Sequence, residues 1–181
     1  MIYYIADLHF GHENVIAFDD RPFENSKVMN ETLIKNWNSR VKPDDTVYVL
    51  GDAFWGKEEQ SIHIIKQLNG YKHLIQGNHD RVNGQLSKYW SSISQYAEVV
   101  DDNNTVVLCH YPIMFYKNQK YGTVMLYGHA HKQYWKMIEN WKEEQLKAGI
   151  PTLLFNVGCM MGYMNYTPRT LVEIIESNKK G

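Results

Sequence analysis

No apolar run in this chain of 181 residues reaches the roughly 18–20 residues that a membrane-spanning helix needs. Cysteine is scarce: Cys109 and Cys159 are the only two, both in apolar surroundings. They read as buried free thiols in a reducing, cytoplasmic setting, which excludes a fold built on disulfides. Charge of either sign is not in excess. Nineteen Lys and Arg stand against 20 Asp and Glu, for a net charge of -1, so no overall basic field draws the chain to nucleic acid or anionic lipid. The opening stretch, Met1 to Asp7, lacks a basic flank and a small-residue cleavage site and reads as a first strand, not a signal peptide. Internal repeats, low-complexity tracts and linkers are missing as well, and the length suits one domain over residues 1–181. What the chain does have is a 44% apolar content for a core, and eight histidines. Five of these, His9, His79, His110, His129 and His131, sit at the ends of apolar runs.

Strands are expected at 2–6, 46–50, 71–75, 96–100, 105–108, 123–127 and 153–157, with a closing strand at 170–175. Helices are expected at 27–39, capped by Asn25 or Ser26, and at 58–68, 82–90 and 133–148. Residues 10–14 read as a turn. In the helix over 133–148 the inward positions are Ile138, Trp141 and Leu146. Strands and helices alternate early and strands dominate later, a pattern that favours stacked sheets flanked by helices.

Five apolar runs end in residues able to bind a metal: Asp7 and His9, Asp52, Asn78 and His79, His110, and His129 with His131. In open α/β sheets ligands gather beyond the carboxyl ends of strands, so side chains distant in sequence can converge there. In an extended chain Asp7 and His9 share a face. The candidate ligands are Asp7, His9, Asp52, Asn78, His110, His129 and His131. That is too many for one tetrahedral ion and suits two ions sharing a ligand. Mixed oxygen and imidazole donors without thiolate suit Mn, Fe, Zn or Co. A bridging carboxylate holds such a pair roughly 3.5–4 Å apart, where it acidifies a bridging water and clamps a phosphate.

The ordered blocks Asp7-x-His9, Gly51-Asp52, Gly77-Asn78-His79-Asp80, His110 and Gly128-His129-x-His131 resemble the calcineurin-like metallophosphoesterase superfamily. Asp7-Leu8-His9-Phe10-Gly11-His12, Arg21-Pro22-Phe23 and Asn156-Val157-Gly158 are similar to a branch of small bacterial and phage phosphoesterases. The segment 132–150 departs from that branch as an apparent insertion. The resemblance implies a four-layer α/β-β-α sandwich of two mixed sheets flanked by helices. It implies Asp7, His9 and His131 on a first divalent metal, Asn78, His110 and His129 on a second, and Asp52 bridging both. Manganese leads the candidate metals, with Fe, Zn, Ni or Co as alternatives. His79 would then be the general acid that protonates the leaving oxygen, and Asp80 would orient it. The implied activity is hydrolysis of a phosphate ester by a hydroxide held between the ions.

Arg21 and Arg81 are candidates for binding substrate phosphate, since guanidinium forks match phosphate oxygens, against the plainer reading of salt bridges. Asn78 joins them, its amide oxygen serving a metal or a phosphate. His12 reads as a pin for the first loop, and Tyr111, Tyr163 and Tyr166 as core residues before pocket residues. Few cationic side chains lie in the motifs, which favours a phosphodiester over a monoester dianion. The expected partner is a small phosphorylated compound, a nucleotide among them. Two further readings compete: a non-catalytic binding scaffold, which intact ligands and His79 disfavour, and a nuclease, which would want a basic groove. In the segment 132–150, Tyr134 and Trp135 are free to lean toward the pocket mouth.

Overall fold

Two four-stranded sheets carry the fold in the computed structural model, which describes residues 1–82 and 84–179. The first sheet is β1 (Ile2–Ile5), β2 (Thr46–Val49), β3 (Tyr71–Ile75) and β4 (Ser92–Ser94), in that order and parallel throughout. The second is β5 (Tyr96–Asp101), β6 (Asn104–Cys109), β7 (Val124–Tyr127) and β8 (Leu153–Asn156). In it β5 runs antiparallel to β6, while β6, β7 and β8 are parallel. The mixing of directions therefore resides in the second sheet. The helices are α1 (Asn14–Phe18), α2 (Ser26–Arg40), α3 (Glu58–Ile65), α4 (Lys132–Lys147) and α5 (Leu171–Asn178). None is long and apolar enough to cross a membrane among the described residues.

Alternation along the strands sorts the layers. The Tyr3 hydroxyl donates to the Arg40 carbonyl of α2 at 3.2 Å, and the next residue, Tyr4, donates to Asp101 of β5 at 3.0 Å. In the second sheet Val106, Leu108, Val124 and Leu126 join the core shared with the first sheet. Val107, Met125, Tyr127 and Leu154 point the other way and pack with Ile138 of α4. The order is helices, sheet, sheet, helix: the four-layer sandwich. The sheets meet edgewise where β1 and β8 end. There the Ala6 amide donates to the Val157 carbonyl and the Cys159 amide to the Ala6 carbonyl, both at 2.8 Å. Both cysteines are free.

Helix α2 is set by Asn25, whose side chain accepts from the Val28 amide at 3.0 Å, and by Met29, Leu33 and Trp37 on one buried stripe. Helix α4 follows its period less completely. Ile138 is buried, but Leu146, expected inward, is 58% exposed because it lies past the edge of the face that Ile138 covers. The expected helix over 82–90 is only a 3-10 turn at Leu86–Tyr89, with residue 83 outside the described residues. Helix α1 and strand β4 escape sequence reading because they are five and three residues long, too short for a period.

The closing strand expected at 170–175 is the helix α5. Its β-branched residues suggested a strand, yet Thr170-x-x-Glu173 is a capping box, with the Thr170 side chain and the Glu173 carboxylate each satisfying the other's backbone amide. Leu171 and Ile174 then fall on one buried helical face. Thr170→Ala should lower unfolding stability by about 1 kcal/mol. A shift of the urea midpoint without change in slope, at unaltered metal content, is the expected result; no shift would mean that the cap contributes nothing.

Candidate metal centre

The candidate ligands lie where strands end, and their backbones leave the extended state to get there. Asp7, His9, Asp52 and His129 all adopt left-handed φ values, 54°, 50°, 52° and 62°. Such conformations cost about 1–3 kcal/mol each in a non-glycine residue and persist where surrounding structure enforces them. Asp7 and His9 thus converge through a bent loop and not through strand alternation, the reason expected from an extended chain. That loop runs beside the one after β2: the Asp7 amide donates to the Gly51 carbonyl at 3.0 Å and the His9 amide to the Asp52 carbonyl at 2.9 Å. Gly51, at φ 85°, also lets His110 approach, since a Cβ there would lie 2.2 Å from the His110 ring.

Two groups result: Asp7, His9 and His131, and Asp52, His110 and His129, each with its ligand atoms within 4.8 Å of one another. Asp52 lies between them. Its Oδ2 is 3.8 Å from Nε2 of His9 in one group and 3.5 Å from Nε2 of His110 in the other. Asn78 adds its amide oxygen 3.0 Å from Nε2 of His110. Burial grades outward: Asp7, His9, Asp52 and His110 are buried, His129 and His131 half-buried, Asn78 and His79 exposed. The His79 ring stands over the first group, 5.9 Å from the His9 ring.

The electrostatics of this cluster fit cations. Nδ1 of His110 lies 2.8 Å from the Leu50 carbonyl, which only accepts, so Nδ1 carries a proton and Nε2 is the nitrogen that faces Asn78 and Asp52. Both ring nitrogens of buried His9 lack a hydrogen-bond partner. Burial, then the Arg21 charge and neighbouring imidazoles, hold His9 well below its ordinary pKa, so the ring is neutral, the form that ligates. Burial pushes the Asp7 carboxyl up to about 6, against the lowering influence of His110 and His131. Carboxylate oxygens and imidazole nitrogens within 4.8 Å of one another in a largely buried site form a donor set for positive charge. Oxygen and imidazole donors, with no thiolate among them, suit divalent first-row metals.

A shell behind the ligands holds them, and sequence reading missed its main member, Asp19. Asp19 accepts from Nδ1 of His131 at 2.6 Å, which turns Nε2 toward the site. Burial raises the Asp19 carboxyl, but the His131 hydrogen bond and the Arg21 charge outweigh it and keep its pKa below the usual carboxylate value. Arg21 was a candidate for substrate phosphate against a plainer salt bridge, and the structure has the salt bridge, with Asp19. The Arg21 side chain is buried, and all five of its N–H groups are spent: on Asp19 twice, on the Asp7 and Leu8 carbonyls, and on the Met29 sulfur. Asp80 also differs from expectation. Its carboxylate accepts the amides of Gly77, Asp52 and Ala53 at 2.8, 2.8 and 2.9 Å and makes no hydrogen bond to the His79 ring. It fixes the loop that carries His79 instead of the imidazole. Asn156 donates to the Ala130 carbonyl at 2.8 Å and steadies the loop between His129 and His131. A lone Asp such as Asp19 in a polar turn carries no signal of its own in a single sequence.

Arg81 is exposed and lines a cleft of about 670 Å³ together with Asn78, His79 and Trp55. His12 does pin a loop: it stacks on Trp55 with ring centres 4.1 Å apart. Tyr111 sits at the site, 4.7 Å from the His129 ring, whereas Tyr163 and Tyr166 pack against the core. Tyr134 and Trp135 of α4 do not line the cleft; the Trp135 indole donates back to the Ala130 carbonyl at 2.8 Å.

Comparison with known proteins agrees with this geometry. An uncharacterized protein of Methanocaldococcus jannaschii is 46% identical over 82 residues, which is 44% of this chain and 47% of that protein, so less than half of either is matched. The gene 66 proteins of Mycobacterium phages L5 and D29 are 27% and 25% identical over 159 and 160 residues, covering 71% and 73% of this chain and 76% and 79% of theirs. The crystal structure of a protein of unknown function from Aquifex aeolicus shares the fold, with a TM-score of 0.74 over 98% of both chains at 24% identity. The calcineurin-like phosphoesterase superfamily domain matches residues 1–179. With that match along nearly its whole described length and two Asp/His groups able to hold metal, the chain belongs to the calcineurin-like phosphoesterase superfamily.

Proposed function

We propose that the chain hydrolyses small phosphodiesters at a dinuclear centre, with Asp52 shared between the two ions and His79 as general acid. The observation that carries this reading is the position of Asp52 Oδ2, 3.8 Å from a histidine of one group and 3.5 Å from a histidine of the other. Divalent ions, manganese first and Fe, Zn, Ni or Co as alternatives, would supply Lewis acidity toward the phosphoryl oxygens and an acidified attacking water. Asp7, His9 and His131 would hold one and Asn78, His110 and His129 the other. His79 is exposed and sits on the loop that Asp80 clamps, a suitable place from which to deliver a proton to the departing oxygen. Asn78 and Arg81 are left to contact the phosphate. Arg81 is the single Lys or Arg among the described residues lining the cleft, and Arg21 is spent in the interior. So little cationic side-chain charge suits a diester monoanion better than a monoester dianion. Free thiols at Cys109 and Cys159 are in keeping with a cytoplasmic setting.

Metal content tests the centre. Chelation should abolish hydrolysis and manganese should restore it. Asp52→Ala should lower occupancy of both sites, whereas Asp19→Asn should weaken the His131 site alone, by about 10–100-fold in metal affinity. Full activity in chelator would overturn the assignment.

His79→Asn should retain its metals and lose ~10²–10⁴-fold in kcat on a substrate with an alkoxide leaving group. The loss should be smaller for 4-nitrophenolate, which departs without a proton. Equal losses on both would remove His79 from the acid role.

In kcat/KM, a phosphodiester should exceed the monoester with the same leaving group. A monoester preferred by about tenfold, or 1.4 kcal/mol in transition-state binding, would contradict the charge argument.

A further inference from the structure

The cleft that begins at His79 has a composition the phosphoester chemistry alone does not require. Of the seven candidate ligands only Asn78 lines it, so it starts at the exposed rim of the centre and runs away from the buried ligands. Its walls are aromatic and aliphatic at Trp55, Trp90 and Leu86, with polar groups at Glu58, Ser61 and Arg81. At about 670 Å³ it falls in the range of small-molecule sites, which combine apolar walls with a few polar groups that fix orientation.

Trp55 is an exposed aromatic that is nevertheless held in place. His12 covers it at 4.1 Å with an interplanar angle of 15°, and the His79 ring meets it at 4.9 Å and 65°. Its backbone amide donates to the Phe10 carbonyl at 2.8 Å. Trp55 as a residue remains 40% exposed. A fixed, exposed ring loses little entropy when a second ring stacks on it. Glu58 is fixed too, since Oε1 accepts from the Leu86 amide at 2.9 Å.

Resting on the phosphodiesterase reading above, we propose that this cleft receives the alcohol that leaves phosphorus, and that the alcohol it fits is a nucleoside whose base lies against Trp55. A general acid must touch the leaving oxygen, so the rest of that alcohol extends from His79, and the cleft is the space that opens there. In the step, a water oxygen forms the new bond to phosphorus and the bond to the nucleoside oxygen breaks. The nucleoside oxygen takes a proton from the His79 ring, and the water gives up a proton to solvent. Base stacking on an aromatic side chain tolerates any base, because every base offers a π-face. Glu58 and Ser61 then meet the edge of the base and the ribose hydroxyls, while Arg81 stays with the phosphate.

Binding of the free nucleoside tests the cleft separately from the chemistry. In ligand-observed NMR titrations of the manganese-free, zinc-loaded protein, adenosine should bind at least about tenfold more tightly than ribose. Trp55→Ala should weaken adenosine by about tenfold or more, and Trp55→Phe should restore most of the affinity, which a general packing defect would not allow. Equal binding of adenosine and ribose by the unaltered protein would overturn the proposal, and that comparison needs no variant to fold. Turnover of bis(4-nitrophenyl) phosphate is measured in parallel. Turnover without adenosine preference sinks the nucleoside cleft alone. Adenosine preference without turnover keeps the cleft and sinks the phosphodiesterase reading.

Discussion

The Asp80 carboxylate is the tie on which the centre depends. Three backbone amides, from Gly77 at the end of β3 and from Asp52 and Ala53 beyond β2, converge on its two oxygens. Burial raises the Asp80 carboxyl above its usual pKa even though the Gly77 and Ala53 amides pull it down. A buried acceptor with three charge-assisted partners is hard to displace. It holds Asp52 in its left-handed conformation, and Asp52 in turn accepts the His79 amide on Oδ1 at 2.9 Å. One interaction therefore sets the relation of the shared carboxylate to the loop bearing Asn78 and His79.

A second chain of contacts does the same for the other half. Arg21 grips the Asp7 and Leu8 carbonyls and the Asp19 carboxylate, and Asp19 aims His131. A buried guanidinium with all donors matched serves order, not recognition, because it has no free N–H left for a phosphate. The two halves differ in how they are held. The His131 half relies on side chains from the turn before α2, the Asp52 half on the Asp80 carboxylate and on the close approach at Gly51, where a Cβ would strike His110.

The phage and archaeal relatives and the Aquifex structure share sequence or fold with this chain and bring no substrate with them. The specificity must therefore be read from its own surface. There the exposed residues beside the centre, Asn78, His79, Arg81 and Trp55, line one cleft, and Asp80 and Asp52 tie down the loop that carries the first two. Helix α4 instead packs on the outer face of the second sheet through Ile138 and stands apart from the cleft.

The residues that gather into the two Asp/His groups were legible in the sequence because each follows an apolar run, and a parallel strand delivers its last residues to one edge of the sheet. The long elements were legible for a related reason: α2 repeats its apolar residues with a helical period, and β1, β7 and β8 are short apolar runs bounded by turns. What the sequence could not show is decided by contacts between distant segments. Arg21 and Arg81 are alike as residues, yet burial against Asp19 and Asp7 makes one structural, while exposure leaves the other at the cleft. Asp80 sits next to His79 in the chain but turns to the backbone across 27 residues at Ala53. Asp19 meets His131 across 112 residues. Local pattern fixes which side chains reach the site; only the folded chain fixes what each of them faces, since hydrogen-bond partners and burial are properties of neighbours in space.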